Sequence, residues 1–114
     1  MLNAFTVDVE DYFQVSAFER HISRDDWDRQ PARLEGNMQR LLDLLDEFHV
    51  KGTFFTLGWV AERYPAIVQR IVADGHELAS HGYDHTRVTE MDASHFRRDI
   101  TRAKQLLEDA GGIA

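Results

Sequence analysis

Residues 52–80 read GTFFTLGWVAERYPAIVQRIVADGHELAS, and this stretch decides the fold. Gly52 breaks the chain before TFFTL (53–57), a run of β-branched and aromatic residues that suits a buried strand. Pro65 then stands at a first helical position, with Ile67, Val68, Ile71 and Val72 as the buried side and Gly75 as the stop. HELAS (76–80) is a second strand-like run. Strand, helix, strand over so short a length describes a βαβ unit, whose strands are parallel because the helix carries the chain back across the sheet.

The pattern continues on both sides. Upstream, Leu34, Met38, Leu41, Leu42, Leu45 and Phe48 recur at helical spacing, with Arg40, Asp43, Asp46 and Glu47 opposite them, so a helix is predicted from about Ala32 to Phe48. NAFTVDV (3–9) reads as an earlier strand that stops at acidic residues. Residues 12–32 have no clean period and read as a long excursion with one short helical turn. Downstream, Asp92 caps a helix bearing Phe96, Ile100, Ala103 and Leu107 on one face and ending at Ala110. Ile113 and Ala114 read as the start of a fourth strand. Phe5, Phe54, Phe55 and Phe96 are expected in the core.

Composition narrows the chemistry. The chain has 114 residues with 43% hydrophobic content, enough for the core of one small domain. Its net charge of −7 and lack of any basic stripe argue against nucleic acid as a partner. With no cysteine, thiolate metal sites and thiol nucleophiles are excluded, so a metal would sit on histidine and carboxylate oxygen. No window approaches a membrane span, and no cationic n-region or cleavage site precedes the first strand, so the chain as given reads as soluble and cytoplasmic.

In parallel α/β folds, ligands sit beyond the carboxyl ends of the strands. Asp8, Glu10 and Asp11 follow the first strand, and His81 and His85 follow the third, so both clusters fall on one rim. Two imidazoles and one carboxylate meet the ligand count of a catalytic zinc site, and a further carboxylate can then act as base. Gly82 between the histidines argues for a strand-to-loop turn, since glycine is costly inside a helix. His21, His49 and His95 lie in or beside polar segments without a partner at ligand spacing, and His76 opens a strand where it can hydrogen-bond structurally. Tyr12, Phe13, Trp59 and Tyr83 neighbour the rim and offer flat faces to a sugar ring.

FTVDVEDYF (5–13) and GTFFTLGWVAERYPAIVQRIVADGHELASHGYDH (52–85) together resemble the start of a NodB-type polysaccharide deacetylase, most closely the branch associated with exopolysaccharide loci. The resemblance implies a metal-dependent hydrolase that removes N-acetyl, less often O-acetyl, groups from polysaccharide on a distorted (β/α) barrel of seven or eight strands. It makes Asp8 the catalytic base and His81 and His85 metal ligands. The usual pair of adjacent aspartates is replaced here by DVED, which leaves Glu10 and Asp11 both as candidates for the carboxylate ligand, Glu10 first. Gly82 stands where the family has Ser or Thr. The family's arginine-proline segment and its late acid histidine have no match, so residues 1–114 read as the N-terminal part of such a domain, inactive by itself. A sheet with unpaired edges points to self-association. Two other functions fit the same residues: a non-catalytic metal- or saccharide-binding module, and a small-molecule C–N amidohydrolase.

Overall fold

The computed structural model describes residues 1–113. Three strands, β1 (Thr6–Val9), β2 (Thr53–Thr56) and β3 (Glu77–Ser80), form one parallel sheet in the order β1-β2-β3. Four helices accompany them: α1 (Leu34–Glu47), α2 (Gly58–Arg63), α3 (Pro65–Ala73) and α4 (Ala93–Gly111). The alternation predicted from residues 52–80 is therefore the architecture.

The register aligns Val9 with Thr56 and Thr56 with Ser80. All three strands thus end level, and the residues that follow them emerge along one edge. Phe54, Val9 and Leu57 are fully buried, and α1 lays Leu34, Met38, Leu42 and Leu45 against them. Each such side chain contributes roughly 1.5–3 kcal/mol relative to exposure. α3 buries Ile67, Val68 and Ile71, and α4 closes the other side with Ala103 and Leu107.

Several expectations are corrected. The first strand begins at Thr6 rather than residue 3: β2 starts opposite it at Thr53, and the ladder closes with the Thr53 N–H donating to the Phe5 carbonyl at 3.0 Å. The excursion over 12–32 holds three short 3-10 turns (Tyr12–Gln14, Ser16–Phe18, Arg24–Arg29) rather than one. α2 was not anticipated, since six residues are too few to show a period; Leu57 leaves β2 and its carbonyl accepts from the Val60 and Ala61 N–H groups to start it. Phe5 is 43% exposed and Phe96 39%, so neither is core. Ile100 and Phe48 are exposed too: α4 turns Phe96 and Ile100 beyond the open edge of β3, and Phe48 lies past the end of α1. Ile113 is not in a strand, and the rest of the expected fourth strand lies outside the described residues.

Candidate metal centre

Glu10 and His81 are the first residues beyond β1 and β3, so the level strand ends bring them to the same edge. The His81 N–H donates to the Thr56 carbonyl at 3.0 Å, which continues the ladder by one residue and fixes where the side chain departs. His85 arrives by a turn. Gly82 (φ +73°) and His85 (φ +66°) both adopt the left-handed conformation, which is unfavourable for a residue with a Cβ and persists only where the surroundings enforce it. Gly82 meets the requirement as glycine, and a Cβ there would also lie 3.2 Å from Asp99 Oδ2.

The surroundings that hold His85 are explicit. The N–H groups of Gly58 and Trp59 donate to the carbonyls of Gly82 and Tyr83 at 2.9 and 2.8 Å, so the start of α2 is stapled to the turn. The Tyr83 N–H donates to Asp99 Oδ2 at 3.3 Å. Asp84 Oδ1 accepts from the Thr86 hydroxyl at 2.6 Å, and Oδ2 accepts from Arg24 Nε at 2.7 Å. Burial opposes ionisation of Asp84, but the bonds from Thr86 and Arg24 outweigh it and hold the carboxyl below its usual range. Burial dominates at Asp99 and pushes its carboxyl upward.

The outcome is a convergent trio. Glu10 Oε2 lies 3.2 Å from His85 Nε2 and 3.8 Å from His81 Nδ1, and one ligand atom from each residue falls within 4.8 Å of the others. Glu10 Oε2 and His81 Nδ1 are buried and make no hydrogen bond among the described residues. A buried polar atom without a partner costs about 1–3 kcal/mol, and a divalent cation between the three groups would satisfy both atoms at once. One carboxylate and two imidazoles are a donor set that suits zinc. The residues present fit such an ion.

Asp11 takes no part in this trio. It is 5% exposed; Oδ1 accepts from the Tyr12 N–H at 2.9 Å, and Oδ2 accepts from Arg33 and Leu34 at 2.8 and 3.1 Å. Asp11 thus caps both the turn that follows it and the start of α1, whose own Arg33 provides no side-chain cap. Its carboxylate is committed to backbone, and of the two carboxylate candidates it is Glu10 that the fold brings to the histidines. Asp8 is exposed on β1 and lines, with Glu10 and Tyr12, a cleft of about 320 Å³.

The aromatics beside the rim are mostly packed. Trp59 is 2% exposed, Phe13 2% and Tyr83 8%. Phe13, Trp27 and Trp59 interlock through tilted and edge-to-face contacts at 5.5–6.1 Å. Tyr83 is covered by the Arg102 guanidinium at 3.7 Å and donates to Glu62 at 2.6 Å. These rings hold the rim together and present no free face; Tyr12, half-buried, keeps part of its surface. Gly58 is a contributor that sequence reasoning passed over: a Cβ there would sit 2.9 Å from the Tyr83 ring and 3.1 Å from Ala103 Cα. A glycine where a strand hands over to a helix is a signal of such close backbone approach.

Residues 24–114 match the family model described as polysaccharide deacetylase. The chain belongs to that family. A peptidoglycan-N-acetylglucosamine deacetylase of Bacillus cereus is 36% identical to this chain over 75 residues, covering 66% of it and 27% of the relative. Against a solved structure from Mycobacterium smegmatis assigned to the polysaccharide deacetylases, the chain aligns with a TM-score of 0.78 and 32% identity over 96% of its length and 39% of the other. An allantoinase structure aligns with a TM-score of 0.62 and 32% identity, covering 66% of this chain and 25% of that one. The chain spans between 12% and 33% of the length of the first curated relatives it matches. No helix among the described residues is long and apolar enough to cross a membrane.

Proposed function

We propose that this chain carries the metal-holding and proton-accepting part of a hydrolase that removes acetyl groups, N-acetyl before O-acetyl, from a polysaccharide in exopolysaccharide biosynthesis. The observation that carries the reading is the trio Glu10, His81 and His85 with its two unsatisfied buried atoms. The deacetylase relatives support the reaction class, and the DVED-containing first strand, similar to the exopolysaccharide branch, supports the setting. Zinc, when bound, would supply Lewis acidity that makes water nucleophilic near neutral pH and polarises the acetyl carbonyl.

The chain's own residues do the rest. Glu10, His81 and His85 hold the ion, and the stapled turn keeps His85 in the left-handed conformation that aims it at Glu10. Asp8, on the cleft shared with Glu10, is free to accept the proton of the attacking water. No residue here matches the family's acid histidine, so the 114-residue chain is expected to release little acetate alone. The open edges of β1 and β3, with Ile100 and Ile113 exposed beside the latter, support self-association of the isolated chain; sedimentation at micromolar concentration tests this.

A second reading is favoured by one observation, the likeness to an allantoinase: a C–N amidohydrolase acting on a small molecule. Acetate release from acetylated glucosamine oligomers, measured on the product of the whole reading frame, separates the two. Zinc-dependent release lost in Asp8→Asn supports deacetylation, and turnover of a cyclic ureide in its place overturns it.

A further inference from the structure

Of the trio, His85 alone has its backbone in the left-handed conformation, at φ +66°, and the bonds that hold it there fall into two halves. The staple from α2 and the bond from the Tyr83 N–H to Asp99 fix the turn as far as Tyr83. Beyond that point, two hydrogen bonds among the described residues tie residues 84–87 to chain distant in sequence, and both reach the excursion over residues 12–32. Arg24 donates to Asp84 at 2.7 Å, and Arg87 donates to Glu19 at 3.2 Å. The partners stand 60 and 68 positions apart.

Asp84 straddles the ligand. Its Oδ1 accepts from the Thr86 hydroxyl and N–H at 2.6 and 3.3 Å, so one carboxylate oxygen closes the chain around His85. Its Oδ2 accepts from Arg24 Nε, which fixes the plane of the carboxylate and with it the loop. Arg24 is itself a fixed post: Ser23 caps the 3-10 turn Arg24–Arg29, and Trp27 of that turn is buried. The guanidinium lies 4.9 Å from the Trp27 ring and 5.7 Å from the Tyr83 ring. A planar cation held against aromatic faces loses little freedom in making its bond. The Arg87–Glu19 pair is the weaker tie, because its side chains are 54% and 51% exposed against 18% for Asp84 and exposed pairs contribute little.

Two effects of Arg24 on a divalent ion oppose each other. As a charge it repels the ion; as the anchor of Asp84 it keeps His85 Nε2 at 3.2 Å from Glu10 Oε2. Asp84 offsets the charge at contact, whereas groups that orient a metal ligand commonly change affinity by about 10–100-fold. Orientation therefore prevails. We propose that Arg24 is a positioning residue for the metal: acting through Asp84, it holds His85 in its left-handed conformation and couples the excursion to the ion. The inference rests on the reading that Glu10, His81 and His85 hold an ion, and adds to it a residue outside the trio. Coupling is reciprocal, so an excursion that tightens zinc is itself tightened by zinc.

The test combines zinc affinity, read by competition with a chromogenic chelator, with amide hydrogen exchange of the chain with and without zinc. Arg24→Met keeps an unbranched chain over the two rings and removes the bond; it is expected to weaken zinc by about tenfold. Arg24→Lys restores the charge and a donor and should recover most of that loss. Asp28→Asn breaks the excursion's other anchor, the paired bonds from Arg63 at 2.8 and 3.2 Å, and should leave zinc affinity unchanged. Zinc should slow exchange across residues 12–32 in wild type but not in Arg24→Met. Unchanged or tighter zinc in Arg24→Met overturns the proposal, the latter by making charge the governing effect. Equal weakening in Arg24→Met and Asp28→Asn also overturns it, because Arg24 would then act on general stability alone. Should Arg24→Met not fold, wild type decides: zinc binding without added protection across residues 12–32 refutes the coupling. Failure of the metal reading is distinct, since wild type would then bind no zinc at all.

Discussion

Replacing Asp11 by alanine is predicted to destabilise the fold while leaving the metal-holding trio its ligands. The side chain accepts three backbone N–H bonds of 2.8–3.1 Å. The Leu34 N–H is buried, so losing its acceptor costs the full penalty of an unsatisfied donor, about 1–3 kcal/mol. The Tyr12 and Arg33 donors are only part-buried and regain water, at about 0.5–1 kcal/mol each. The sum is about 2–5 kcal/mol, a large share of the stability of a small domain, and corresponds to a urea midpoint lower by about 1–3 M. Asp11→Asn keeps one acceptor oxygen but turns an N–H₂ toward donors at the other position, and should lie between wild type and alanine. Urea denaturation followed by tryptophan fluorescence measures the effect, since Trp27 and Trp59 are buried in the adjoining cluster. Zinc stoichiometry of Asp11→Asn should match that of wild type. Alanine stability within about 0.5 kcal/mol of wild type, combined with loss of zinc from the asparagine variant, would refute the reasoning and return Asp11 to the metal.

Three further outcomes follow from the geometry. Gly58→Ala should cost about 1–3 kcal/mol by overpacking, because the new Cβ meets the Tyr83 ring at 2.9 Å and α4 backbone at 3.1 Å; thermal unfolding reads it, and an unchanged midpoint contradicts the packing. Burial, reinforced by the charge of Lys51, holds the His76 imidazole below its ordinary value, and its Nδ1 accepts from the Gly52 N–H at 3.1 Å. The unfolded chain therefore binds a proton that the folded chain resists, so the His76 contribution is full above about pH 6.5 and is lost as pH falls from there through the lower value of the folded state; His76→Gln should flatten the decline in stability on the acid side of neutrality, and an identical slope counts against the assignment. Asp8→Asn should bind zinc as wild type does but abolish turnover in the whole-frame product, and a retained rate would remove Asp8 from the proton-accepting role.

The sheet was legible because TFFTL and HELAS bracket a helix that starts at Pro65 and stops at Gly75, and each of those signals is local. The rim followed from it: parallel strands that end level must deliver Glu10 and His81 to the same edge. What stayed hidden depends on contacts distant in sequence. The cap that Asp11 places on Arg33 and Leu34 spans 22 and 23 residues, and no spacing rule distinguishes Asp11 from its neighbour Glu10 as a candidate ligand. Trp59 and Tyr83 looked available because they flank the rim, but α4 and the excursion close over them. Phe96 and Ile100 carry helical periodicity that marks a face without saying what covers it, and α4 leaves both exposed. The left-handed His85 is likewise set by the staple from α2 and not by its neighbours in sequence.

The central claim is that Glu10, His81 and His85 hold one metal ion, and zinc X-ray absorption on the loaded chain tests it most directly. The account predicts one zinc per chain with two imidazole nitrogens at roughly 2.0–2.1 Å and carboxylate oxygen in the same shell, with the bound zinc lost in His81→Ala and in Glu10→Gln. A spectrum without imidazole scattering, or zinc retained at full stoichiometry in His81→Ala, would contradict it.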